Sequence, residues 1–320
     1  MDVHRQLGIG ERGPDFLLTG ASGSPTRFYA VAGGRPTALV FGSEDGNAIS
    51  TDLTTLLADR DDVSVTTVVE PKIAEAYGVA PNQPTVVVLD PDLRVVGTVT
   101  GDDPSDEVVT LLEAAMHRGA STEVTAQAPV LLLPRVVEAT LRDRLIQHLE
   151  QQGSVETGVE TSSDGSRAEV LDASYKRRRD HTVADRDLLR ELSTAVGRRV
   201  MPEIRKAFAF RATRFEGFKI ACYDATTGGF FRAHRDNLSP STAHRVFALT
   251  INLNEEYEGG QLRFPEYGNQ LYRPCSGGAL VFSCAHLHEV LDVTAGRRFA
   301  LLSFLYGEPP ADRVPRETPA

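Results

Sequence analysis

The chain has 320 residues, 41% hydrophobic and 24% charged, with a formal net charge of −10. That length suits two globular domains, and the acidic balance excludes a general nucleic-acid binder, which needs a strong basic field. No apolar run is long enough to cross a bilayer, and the start, MDVHRQLGIGERGPDF, lacks the apolar core of a signal peptide. A cytoplasmic protein without membrane contact is therefore expected. Residues 1–127 hold 19 acidic and 8 basic side chains, a balance of −11, while residues 128–320 hold 25 and 26, a balance of +1. The split points to two units of different character. Cys222, Cys275 and Cys284 show no C-x-x-C spacing and read as reduced thiols.

In chain order, RPTALVFG (35–42) predicts a buried strand followed by a loop, and AISTDLTTLLAD (48–59) has helical apolar spacing. DVSVTTVV (62–69) predicts a strand and PKIAEAYGV a short helix ending near Gly78. PTVVVLDPDLRVVGTVTG (84–101) predicts two strands around a DPD turn, and 105–119 a helix with Ser105 as N-cap and Gly119 at its end. The order β-α-β-α-β-β-α, with GPDFLL, YGV and QPTVVVLDPD, resembles the thioredoxin fold in its peroxiredoxin-like branch. The resemblance covers residues 1–122 and implies that Pro84 is a cis-proline. Redox members of that family carry a Cys just after the first core strand, because a thiolate is the nucleophile. Here that loop is GSEDGNAIS, and the whole first half has no Cys. Thiol chemistry is excluded for it, leaving a structural, dimerisation or partner-docking module, or a binding cleft near Pro84.

GASTEVTAQAP (119–129) reads as a linker. VLLLPRVVEATLRDRLIQHLEQQG (130–153) predicts a short strand and a helix, and SVETGVETSSDGSRAEV an exposed loop. KRRRD (176–180) reads as a solvated cluster or as a rim that greets an acidic substrate. TVADRDLLRELSTAVGRRVMPEIRKAF (182–208) has helical spacing that Pro202 interrupts or restarts.

From residue 217 the texture changes to short β-rich segments separated by Gly, Pro and Asn, as in an antiparallel sandwich or barrel. In FFRAHRDN (230–237), His234 and Asp236 stand two apart, and on a strand both project to one face. An open iron site of the facial-triad type needs one further His. His244 is too near in sequence to close a barrel across the pair. His286 and His288 share a face, so periodicity alone cannot choose between them. The continuation HEVLDVTAGRRFALLSFLY favours His288: a strand from 288 to 293, a turn at Gly296 and a second strand from 298 put Arg298 ten positions on. A forked guanidinium there suits a dicarboxylate.

At this point the sequence resembles the prolyl 4-hydroxylase-like group of iron(II)/2-oxoglutarate-dependent oxygenases. The carriers, in order, are Tyr223, HRDN, LNEEYEGGQLRF, PCSGGALVF, HEV and GRRF. The match covers roughly 128–307 and implies an oxygenase domain over 128–310, a double-stranded β-helix or jelly roll flanked by helices. By the resemblance His234, Asp236 and His288 bind Fe(2+), and Arg298 pairs with the distal carboxylate of 2-oxoglutarate. Tyr223 hydrogen-bonds the cosubstrate, and Thr250 or Asn252 supplies a contact that some relatives take from a second Tyr. Arg297 competes with Arg298, but strand parity and the Gly-x-Arg pattern favour Arg298. EGGQLRF is read as structural, with Gly259 and Gly260 making a turn. The implied activity is a dioxygenase using O2, with ascorbate as an accessory, that hydroxylates a protein side chain such as proline or a small metabolite. The alternative is a non-catalytic sensor that binds iron and 2-oxoglutarate.

Overall fold

The computed structural model describes residues 5–19, 25–42, 44–80, 83–101, 103–116, 123–163 and 166–307. The chain divides into two compact units, Met1–Thr122 and Glu123–Ala320. No helix among the described residues is long and apolar enough to cross a membrane.

The first unit is built on β1 (Thr37–Phe41), α1 (Glu44–Leu56), β2 (Ser64–Val68), α2 (Pro71–Tyr77), β3 (Thr85–Leu89), β4 (Val95–Thr100) and α3 (Ser105–Ala115). The sheet order is β2-β1-β3-β4, with β1 and β2 parallel and the other pairs antiparallel. β1 and β3 are buried along their whole length, so both faces carry apolar side chains. Strand alternation sorts them: Leu39, Phe41, Val87 and Leu89 join a core with Phe28 and Tyr77, while Ala38, Val40, Val86 and Val88 join another with Leu53 and Leu112. Two details depart from the sequence reading. There is no cis peptide bond among the described residues, so Pro84 is trans. Pro104, not Ser105, occupies the N-cap position of α3, with no side-chain cap hydrogen bond. Gly119 lies outside the described residues.

The second unit carries β5 (Leu131–Leu133), α4 (Ala139–Gln152), β6 (Val155–Glu156), β7 (Lys176–Arg177), β8 (Arg179–Thr182), α5 (Arg186–Arg199) and α6 (Met201–Phe208). There follow β9 (Lys219–Asp224), β10 (Phe230–His234), β11 (Phe247–Asn252), β12 (Leu262–Arg263) and β13 (Leu271–Tyr272). The chain closes through β14 (Ala279–Ser283), β15 (His288–Val290) and β16 (Val293–Tyr306). The larger sheet runs β5-β14-β11-β16-β9-β8-β6, and the smaller runs β7-β10-β15-β12-β13.

Period-two alternation builds both layers of this unit. Ile220, Cys222, Leu249, Ile251, Phe299 and Leu301 face α4, α5 and α6 through Leu145, Leu192, Val196 and Ile204. Their strand neighbours Ala221, Tyr223, Ala248, Leu280 and Phe282 pack instead with Leu262, Phe264, Tyr272 and Val290 of the smaller sheet. The result is a sandwich of two sheets with helices covering one outer face. Asp185 caps α5 by accepting from the backbone N–H groups of Asp187 and Leu188, and Pro202 sits in the first turn of α6, where it restarts the helix.

Three expectations are corrected here. The stretch read as a loop after α4 forms β6 and an antiparallel hairpin, Val159–Ser163 with Ser166–Val170. Its alternating Val and Thr residues support strand pairing more strongly than its Ser and Gly content suggests. KRRRD forms the strands β7 and β8, and Lys176 and Asp180 within it are buried. Gly296 lies inside the continuous β16 and makes no turn between two strands. Its φ of +69° and the Glu256 carbonyl oxygen, 2.4 Å from where a Cβ would stand, leave room only for glycine.

Candidate active site

His234 closes β10 and pairs in register with His288, the first residue of β15. Asp236 lies in the turn beyond β10, where its N–H donates to the Cys284 carbonyl at 3.0 Å. The three side chains meet: each offers a ligand atom, and these atoms all lie within 4.8 Å of one another. His234 Nε2 is 3.5 Å from Asp236 Oδ1 and His288 Nε2 is 3.4 Å from Oδ2.

Backbone carbonyls set the tautomers. His234 Nδ1 lies 2.8 Å from the Arg232 carbonyl and His288 Nδ1 lies 3.0 Å from that of His286. A carbonyl only accepts, so each Nδ1 carries the proton and each Nε2 lone pair faces the carboxylate. Phe231 stacks on His234 at 3.6 Å between centroids, and Phe282 meets His288 at 4.5 Å. Both rings are thereby held by packing as well as by hydrogen bonds.

Electrostatics favour ligation. Burial opposes the charge on Asp236, but His288 and His234 in their protonated forms, together with Arg245, outweigh it and hold the carboxyl below the ordinary carboxylate range. Burial is the main cause at His288, whose pKa falls to about 4, so the ring is neutral near neutral pH, as a metal ligand must be. Arg245 also donates to the Asp236 carbonyl at 3.3 Å, while Nε and Nη2 grip Glu216 at 2.7 and 2.9 Å. The sequence reading missed this buttress, and no motif announces it.

A cavity of about 880 Å³ adjoins the triad and is lined by Tyr223, Thr250 and Arg298 among others. Arg298 is 2% exposed, yet its Nε and Nη1 have no hydrogen-bond partner among the described residues. The Thr250 hydroxyl is likewise buried without a partner. Buried donors in that state are costly, so their clustering marks a place built for an acceptor. A carboxylate fits it, and two imidazoles with one carboxylate fit iron(II). The donor set is therefore chemically suited to both iron and 2-oxoglutarate.

Other expected residues are placed differently. Asn252 does not line the cavity: its Oδ1 accepts from the Tyr257 hydroxyl at 2.9 Å, and its Nδ2 donates to the carbonyls of Asn254 and Pro274. Its amide locks the turn after β11 and is not available to a cosubstrate. Arg297 points to the opposite face, where it pairs with Glu150 at 2.9 Å. His286 meets the Tyr267 hydroxyl and His244 pairs with Glu216, so neither joins the triad. Gly259 and Gly260 have φ of +72° and +66° and turn the chain as expected. Gly260 has a second role, because a Cβ there would stand 2.9 Å from Val293 Cγ2 and 3.0 Å from Arg298 Cδ. Gly260→Ala should destabilise the protein by about 1–3 kcal/mol in urea unfolding. An unchanged midpoint would show that Arg298 is not held by this contact.

Residues 218–306 match the sequence model of the 2OG-Fe(II) oxygenase superfamily. The matched residues lie wholly within the second unit. The chain is similar to a PKHD-type hydroxylase of Synechococcus sp. (strain JA-2-3B'a(2-13)), 29% identical over 104 residues, which is 30% of this chain and 46% of that protein. A PKHD-type hydroxylase of Prochlorococcus marinus (strain MIT 9215) is 32% identical over 75 residues, 22% of this chain and 34% of that protein. The chain thus spans less than half the length of the curated relatives it matches. Among solved structures, a Pseudomonas putida prolyl-4-hydroxylase aligns with 57% of this chain and 94% of its own, at 17% identity and a TM-score of 0.44. A Trichoplax adhaerens prolyl hydroxylase aligns with 56% and 83%, at 18% identity and a TM-score of 0.46.

Proposed function

We propose that the chain is an iron(II)- and 2-oxoglutarate-dependent dioxygenase that hydroxylates a C–H bond of a protein side chain or a small metabolite. The observation that carries this reading is the coincidence, in one cavity, of the His234–Asp236–His288 cluster with a buried guanidinium lacking acceptors. When bound, iron and 2-oxoglutarate supply oxygen activation and removal of a substrate hydrogen. The chain's own residues bind and orient. His234 and His288 present fixed Nε2 lone pairs, and Asp236 contributes the negative charge. Arg298 neutralises the distal carboxylate of the cosubstrate, helped by the hydroxyls of Thr250 and Tyr223. Phe231, Phe282 and Val290 line the cavity with apolar surface.

We further read the first unit as thioredoxin-like, supported by the sheet order β2-β1-β3-β4 with a parallel β1–β2 pair and helices between the strands. All three cysteines lie at or after residue 222, so this unit has no thiol. Its reading as a docking or dimerisation module favours a macromolecular substrate. The test is mass spectrometry of lysate incubated with protein, iron(II), 2-oxoglutarate and oxygen. Products heavier by one oxygen atom, absent with the His234→Ala variant, are expected; equal product profiles would contradict the reading.

A further inference from the structure

Arg178, between β7 and β8, stands in a row with Tyr223 of β9 and Arg298 of β16. Tyr223 pairs with Arg298 in the β9–β16 register, and Arg179 pairs with Cys222 in the β8–β9 register, which brings Arg178 beside Tyr223. The Tyr223 ring lies between the two guanidiniums, whose carbons are 5.8 Å (Arg178) and 5.2 Å (Arg298) from its centroid. Asp180 holds Arg178 by a two-pronged contact, Nε to Oδ1 and Nη2 to Oδ2, both at 2.7 Å. Asp180 is itself fixed by the Thr157 hydroxyl at 2.7 Å, and Thr157 in turn accepts from Lys176 Nζ at 2.8 Å. The remaining arm of Arg178, Nη1, donates to the Tyr223 hydroxyl oxygen at 3.3 Å.

The direction of that bond has a chemical consequence. A guanidinium has only donors, so the Tyr223 oxygen accepts from Arg178 and its own proton cannot return to either flanking arginine. The proton must point to an acceptor, and with Arg178 already paired to Asp180 the charge of Arg298 favours an anionic one. The unpartnered Arg298 Nε and Nη1 and the unpartnered Thr250 hydroxyl line the same cavity.

We infer that Arg178, anchored by Asp180, is a positioning residue that fixes the Tyr223 hydroxyl as a donor to the distal carboxylate of 2-oxoglutarate. This rests on the reading that places that carboxylate at Arg298. The segment 176–180, whose Lys176, Arg178 and Asp180 line the same cavity, thereby sets the affinity for the dicarboxylate through Tyr223. A charge-assisted hydrogen bond of this kind is worth about tenfold or more in affinity.

The test is anaerobic calorimetry of the iron(II)-loaded full chain with 2-oxoglutarate and with 2-oxobutyrate, which has the keto-acid end but no distal carboxylate. Arg178→Met is expected to weaken 2-oxoglutarate about tenfold and leave 2-oxobutyrate unchanged. Tyr223→Phe should do the same, and the double variant should be no weaker than either single one. Because Arg178→Met leaves Asp180 buried without its partner, the pair Arg178→Met with Asp180→Asn provides a second variant, with the same selective loss expected. Unchanged 2-oxoglutarate affinity, equal loss of both keto acids, or losses that multiply in the double variant would overturn the inference. Arg298→Met separates the two levels: if it leaves 2-oxoglutarate affinity intact, the reading beneath the inference falls as well.

Discussion

Asp236→Ala should lower iron(II) affinity by at least about a hundredfold and bring 2-oxoglutarate-dependent succinate formation to background. Loss of a group that merely orients a ligand costs about 10–100-fold, and removal of a ligand itself costs more. Asp236 is also the only anion in the triad, flanked at 3.5 and 3.4 Å by His234 and His288. Without it the site offers two imidazoles and no carboxylate to a dication. The backbone of the turn should survive the change, because the Asp236 N–H bond to the Cys284 carbonyl does not involve the side chain. Iron titration and a melting curve on the same sample would separate loss of metal from loss of fold. A variant that binds iron as tightly as the parent would remove Asp236 from the ligand set.

Arg298→Met carries the second large effect, and its sign differs between two measurements. Affinity for 2-oxoglutarate should fall about a hundredfold, the usual scale for truncating one partner of a buried, hydrogen-bonded charge pair. Stability without cosubstrate should rise, because the parent buries a guanidinium whose Nε and Nη1 have no acceptor. Replacing such a group by an apolar side chain of similar length is neutral or stabilising by about 1–4 kcal/mol. Thermal unfolding with and without 2-oxoglutarate checks both signs in one experiment. The parent should gain stability from the ligand, and the variant should start higher and gain little. A variant that is less stable and still binds would show that Arg298 is structural.

The triad was legible because strand parity is a strong constraint. His234 closes β10, Asp236 follows in the turn beyond it, and the HEV segment pairs with that strand. Parity also separated Arg298 from Arg297, and the two do point to opposite faces. Parity could not separate Thr250 from Asn252, since residues two apart share a face. What distinguishes them is the Tyr257 hydroxyl, which engages the Asn252 amide from five residues on. Such a contact depends on how the chain turns after β11, and composition carries no sign of it. KRRRD was harder still. A run of basic residues ordinarily belongs on the surface, and only the pairing of β8 with β9 buries Asp180 against Arg178. Long-range strand pairing decided the burial of KRRRD, and a turn contact five residues on decided Asn252. In the first unit the elements from β1 to α3 were legible from apolar spacing, while the strands Leu17–Thr19 and Pro25–Arg27, the helix Phe28–Ala32 and the peptide bond before Pro84 were not.

The most direct test of the central claim is an anaerobic titration of the full chain with iron(II) and then 2-oxoglutarate, followed by oxygen and quantitation of succinate. The predicted result is a single equivalent of iron, 2-oxoglutarate binding that tightens when iron is present, and succinate formed only after oxygen is admitted. Binding of 2-oxoglutarate indifferent to iron, with no succinate on oxygenation, would contradict it.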